Sequence, residues 1–224
     1  MELGTVAPRG DLSMTKLARI RRNPVLTVAQ ALEARGRDTL ALRRWHKRNA
    51  DNFARSLHDM EEFEAGRLPI LGQLHLSHNH ADGTVTDYGL ISTRVVTNAF
   101  VAYIVDAMQG LQNIGTLRFH GLGTGSTAES ASQTALATEL TTQYASANTR
   151  PQGTLGEASG SSNTFETTAT VTVSAAVAIR EHGVFSSASA GTGTLLDRSV
   201  FAEVNLAASE SLTATYQLTF PAGG

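Results

Sequence analysis

Residues 211–220 read SLTATYQLTF. Successive side chains of a strand point to opposite faces, so Leu212, Ala214, Tyr216, Leu218 and Phe220 share one side, with threonines opposite. Threonine suits a half-exposed pleated surface, and the stretch reads as a strand with one buried face. Working back, Leu195–Leu206 and Ile179–Ser186 read the same way, as does Phe165–Val177 with Phe165, Ala169, Val171 and Val173 on one face. Leu117–Leu122 leads into GLGTGS (121–126). Short strands divided by Gly/Ser turns predict a mainly β protein, with a β-sandwich or jelly-roll-like body. The stretch 143–163 is a long polar connection, beyond the length of an ordinary turn. TNAFVAYIVDAM (97–108) reads as one packed helix capped at Thr97 or Asn98, although its β-branched residues leave strand open.

The chain has 224 residues and a formal charge of −2, unevenly spread. Residues 1–67 carry 13 of the 18 basic and 9 of the 20 acidic residues, while 68–224 carry 5 and 11. From 121 onward there are 32 Ser and Thr and no Lys. A basic leader therefore precedes a polar, weakly acidic body. The absence of cysteine excludes disulfides, thiolate metal sites and a cysteine nucleophile. No apolar run approaches the length of a membrane span.

In the leader, Pro8, Gly10 and Pro24 punctuate residues 1–26, which read as an extended basic arm. Residues 27–68 read as helical. Thr27 and Gln30 have capping-box spacing before a short helix, Val28 to Arg35. Asp38 then caps a longer helix from Thr39 to Ala65, closed by Gly66. Asn49 interrupts its apolar stripe, which suggests packing on a partner surface. Residues 69–87 read as a linker loop, and 88–224 as the β body.

Chemical motifs are sparse. Gly121, Gly123 and Gly125 lack the lysine of a phosphate loop and the third glycine of a dinucleotide fingerprint, so a tight turn with positive φ is expected. His75, His78 and His80, with Asp82 nearby, are weak metal candidates in a polar loop, and no cofactor is expected. Arg180-Glu181-His182 and Asp197-Arg198 place charges inside strands, where ion pairs within or between copies are expected. Ser, His and Asp are present, but no G-x-S-x-G elbow occurs, and the chain reads as non-enzymatic. Arg43–Arg48 around Trp45 has the makeup of a nucleic-acid contact, but Asp59–Glu64 on the same helix opposes phosphate, and nucleic acid is a minority reading.

Four stretches carry a resemblance: GLISTRVVTNAFVAYIVDAMQG (89–110), FHGLGTGSTAESASQTALATELTT (119–142), IREHGVFSSASAGTGTLLDRSVF (179–201) and SLTATYQLTF (211–220). In this order they resemble a family of tailed-bacteriophage virion proteins, over about three fifths of the chain. The resemblance implies a structural role and brings no catalytic residue.

The resulting expectation is a capsid cement (decoration) protein in the virion, assembled in the host cytoplasm as a homotrimer. Its partners are copies of itself and the major capsid protein. Arg9, Lys16, Arg19, Arg21 and Arg22 are expected to make the arm's ionic contacts, and Trp45, Phe53 and Leu57 its apolar ones. The alternatives are a tail, fibre or adaptor component, or a carbohydrate-binding module.

Overall fold

The structure, a computed structural model, describes residues 40–94 and 96–221. The arm with Arg9, Lys16, Arg19, Arg21 and Arg22, the short helix at 28–35 and the cap at Asp38 lie outside the described residues. Three helices and eight strands follow in the order α1 (Leu40–Arg48), α2 (Ala50–Glu64), β1 (Leu71–Asn79), β2 (Val85–Arg94), α3 (Asn98–Met108), β3 (Phe119–Gly123), β4 (Thr154–Glu157), β5 (Thr164–Thr172), β6 (Val177–Phe185), β7 (Leu195–Leu206) and β8 (Ser211–Thr219). A single 3-10 turn, Ile114–Thr116, sits between α3 and β3.

The strands form two antiparallel sheets, β2-β1-β8-β5-β4 and β3-β6-β7. Strand β8 lies at the centre of the larger sheet, and its strict alternation buries one face. Leu212, Ala214, Tyr216 and Leu218 are buried, while Thr213 and Thr215 bond to Thr170 and Thr168 of β5 at 2.9 and 3.0 Å. Leu74, Leu76, Ile91, Val171, Leu212 and Ala214 of the larger sheet share one core with Leu122, Ile179, Phe201 and Val204 of the smaller. A protein of mainly β character with packed helices follows from these alternations.

Three expectations require correction. The linker at 69–87 is a hairpin of β1 and β2, closed by a turn in which Gly83 takes φ +82°. The polar residues of QLHLSHN concealed its period: Leu74, Leu76 and His78 face inward, and Gln73, His75 and Ser77 alternate with them. The long helix is two helices divided at Asn49. The connection at 143–163 contains strand β4, and Tyr144 and Arg150 within it are buried.

The division at Asn49 has a physical cause. Strands β2 and β7 are edge strands of the two sheets, with unpaired backbone groups that need partners. Asn49 Nδ2 donates to Ile91 O of β2 at 2.9 Å, and its Oδ1 accepts from Ala202 N of β7 at 3.0 Å. Asn52 Nδ2 and Trp45 Nε1 donate to Val200 O and Ala202 O at 2.7 and 2.9 Å, and Ser56 Oγ accepts from Thr93 N. The helical pair thus closes the gap between the two edges with polar side chains. Its apolar stripe packs within the chain.

Candidate functional site

Helix α3 begins where Thr97 accepts from Phe100 N at 3.1 Å, a standard side-chain cap. Thr97 Oγ1 also donates to Leu195 O, which fixes the helix start against β7. Phe100 and Tyr103 are buried against Leu117, Val184, Leu196, Tyr216 and Leu218. The opposite face is also apolar: Val101, Val105 and Met108 are 49%, 51% and 82% exposed. Their spacing of four and three residues makes a stripe along the helix. Leu111 and Ile114 continue it past the helix end at 68% and 51%. Beneath the end of the stripe, Ile104, Met108, Ile114, Phe165, Leu218 and Phe220 line an apolar cleft of about 410 Å³. Scattered exposed apolar residues are ordinary, whereas here five stand in one stretch, Val101 to Ile114, beside an apolar cleft.

A second cluster lies where the β1–β2 and β7–β8 turns meet. His78 is buried at the end of β1, and its Nε2 lies 2.9 Å from Glu210 Oε2. His80, in the adjoining turn, places Nδ1 3.4 Å from Glu210 Oε1 and Nε2 2.8 Å from Thr86 Oγ1. The two imidazole centroids are 3.8 Å apart. Hydrogen bonding from Ala207 N, with help from His78 and Ala81 N, holds the Glu210 carboxyl down at about 2, so it is ionised. Desolvation lowers His78 against the pull of that carboxylate. His75 alternates to the other face of β1 and does not join the cluster, and Asp82 instead accepts from Thr84 N and Oγ1.

The interior holds a third set of polar groups. Glu181 and Arg198 pair at 2.7 Å with side chains 0% and 1% exposed, as expected of charges inside strands. A half-buried Arg180–Glu203 pair joins the same two strands. Glu181 also accepts from Gly125 N, Thr138 N and Ala137 N at 2.9, 2.7 and 3.0 Å, so one carboxylate pins the loop after β3. The glycines of GLGTG serve this approach. None of Gly121, Gly123 and Gly125 has positive φ, but a Cβ at Gly123 or Gly125 would stand 2.4 or 2.5 Å from Glu181 Oε1. The tight-turn reading is corrected accordingly.

Between the sheets, His120 Nδ1 meets His182 Nε2 at 3.0 Å, and His120 Nε2 meets Thr167 Oγ1 at 3.1 Å. Burial pushes His120 down to about 3 and His182 well below its usual value, so both are neutral. Ser199 and Asp197 lie in the same interior, each 2% exposed, with Tyr216 donating to Asp197 at 3.1 Å. His120, His182, Asp197 and Ser199 are thus all buried.

The residues expected to anchor a partner are distributed differently. Trp45 and Phe53 are 3% and 7% exposed in the chain's own core, which corrects their assignment as partner contacts, and Leu57 is half-buried. Arg43, Arg44, Lys47 and Arg48 are exposed while Trp45 turns inward, so the basic and aromatic parts of that cluster face different ways. Glu210 and the α3 stripe were missed. The 101/105/108 spacing was the available signal for the stripe, whereas Glu210 reaches His78 from 132 residues away. Among the described residues no helix is long and apolar enough to cross a membrane. The chain matches no protein-family model and no curated protein.

Proposed function

We propose that this protein is a non-enzymatic structural subunit of a tailed-bacteriophage virion, a capsid cement protein whose two sheets act as a β-sandwich body. The observation that carries an assembly role is the exposed stripe Val101–Val105–Met108–Leu111–Ile114 beside the apolar cleft. Leaving that surface in water costs free energy that association recovers, at roughly 25 cal/mol per Å² of apolar area buried. In this reading the α3 face joins copies of the chain into a homotrimer, and the basic arm reaches the major capsid protein. Many weak contacts repeated over a lattice then add through linkage. The virion setting rests on the resemblance of the four stretches between 89 and 220.

The same surface argues against the carbohydrate-binding alternative. Among the described residues, Phe220 at 38% is the most exposed aromatic side chain and Phe63, Tyr88, Phe119 and Phe165 are half-buried, which leaves little open ring surface for a sugar to stack on. Sedimentation of the wild-type chain and of a Val105→Asp/Met108→Asp variant tests the assembly surface. The reading predicts an oligomer that the paired charges reduce to monomer. Two monomeric samples remove α3 as the contact between copies.

A further inference from the structure

We propose that His78, His80 and Glu210 form a site for one divalent transition-metal cation of the zinc class, which clasps the β1–β2 turn to the β7–β8 turn. The ligand atoms of these three residues all lie within 4.8 Å of one another. The donor set, two imidazole nitrogens and a carboxylate, is the set zinc takes in three-ligand sites with a fourth position open to water. Hard cations such as magnesium prefer all-oxygen surroundings and fit it poorly.

The local geometry supports a shared cation over a simple hydrogen-bonded triad. The 2.8 Å contact of His80 Nε2 with Thr86 Oγ1 engages the ring nitrogen remote from Glu210. A metal-bound imidazole ordinarily has such an outer partner, which sets the tautomer and aims the other nitrogen inward. In the tautomer with Nε2–H donating to Thr86, the lone pair of Nδ1 faces Glu210 Oε1 at 3.4 Å, too long for a charge-assisted hydrogen bond. Two acceptors facing one another call for a positive charge between them. A single cation satisfies all three groups.

The rest of the neighbourhood is arranged accordingly. Glu210 is fixed by Ala207 N at 2.8 Å, which holds its carboxylate beside both imidazoles. His78 is rigid on β1, with its side chain 4% exposed. His80, at 30%, is the more exposed of the two imidazoles, and zinc ligand distances of about 2.0–2.2 Å require the three groups to draw together. The site is independent of the α3 face and of the virion reading.

The test uses the full chain stripped with a chelator and titrated with zinc chloride at pH 7 by calorimetry, with thermal unfolding followed in parallel. The expected result is one zinc per chain and a raised unfolding midpoint, with no response to magnesium chloride. His80→Ala and Glu210→Gln each weaken zinc binding at least about tenfold, while His75→Ala, on the opposite face of β1, leaves it unchanged. Circular dichroism of each metal-free variant, matched to the wild type, separates loss of a ligand from loss of fold. Absence of saturable zinc binding overturns the proposal, as does undiminished binding in a folded His80→Ala chain.

Discussion

Arg198 Nε lies 2.7 Å from Glu181 Oε2 in an ion pair with no appreciable solvent access on either side. Every further contact of Glu181 noted above is a backbone N–H, so the carboxylate gathers the loop 124–138 onto the outer face of the smaller sheet. In Glu181→Gln the amide NH₂ must face one set of these donors, and Arg198 keeps its charge without a counter-ion. Removing one partner of a buried pair costs about 3–5 kcal/mol. Urea unfolding of the variant is expected to show a loss of that size, with little change in the slope.

The glycines beside the pair yield a sharper comparison. In Gly123→Ala the new methyl meets Thr138 O at 2.5 Å as well as Glu181, and neither can withdraw without breaking the loop's bonds. Overpacking of this kind costs about 1–3 kcal/mol. Gly156→Ala, with nothing within 4 Å, is expected to stay within about 0.5 kcal/mol of the wild type. Paired thermal melts distinguish the two.

Asn49 joins the edges of both sheets through one amide. Asn49→Ala leaves Ile91 O and Ala202 N without these partners and frees Asn52 Nδ2 from Asn49 Oδ1. Unsatisfied buried groups cost about 1–3 kcal/mol each. A loss of about 2–4 kcal/mol in chemical unfolding is expected, and hydrogen exchange at β2 and β7 is expected to rise before exchange at β8.

This residue also shows what the sequence did and did not convey. Strand β8 was legible because its apolar residues alternate without interruption, and β5 to β7 because apolar, β-branched stretches stand between Gly/Ser turns. The cap at Thr97 was legible because capping is local. Asn49 read as a flaw in an apolar stripe, since nothing local reveals that two edge strands lie on either side of it. The β1–β2 hairpin was hidden for a related reason: histidine and serine at alternating positions look like loop until a sheet supplies the face they point from. His78 and His80 were noticed by spacing, but Glu210 enters their cluster only through the β1–β8 pairing. Gly123 and Gly125 suggested turn chemistry, although the constraint they answer to is a side chain on β6.

The buried imidazoles predict an acid-sensitive core. His120 is pushed down to about 3 and His182 lies well below its usual value, both chiefly through burial. Above about pH 6.5 both are neutral folded or unfolded and contribute no pH dependence. As pH falls from about 6.5 toward 3, the unfolded chain binds protons that the folded chain does not. Stability therefore drops by about 1.4 kcal/mol per pH unit for each such imidazole. Unfolding midpoints measured from pH 7.5 to 4 are expected to fall below pH 6.5, and His182→Asn to lessen the slope.

Deleting residues 1–26 separates arm from body. Among the described residues the buried apolar side chains run from Leu42 to Leu218, and the shortened chain is expected to stay folded. On particles its occupancy is expected to fall. Undiminished occupancy would remove the arm from the account.

The measurement that bears most directly on a cement role is the copy number of this chain in purified particles, quantified by mass spectrometry against the major capsid protein. The account predicts a number close to that of the capsid protein, as a lattice-wide subunit requires. A few to some dozens of copies would contradict it and place the protein at a vertex or in the tail.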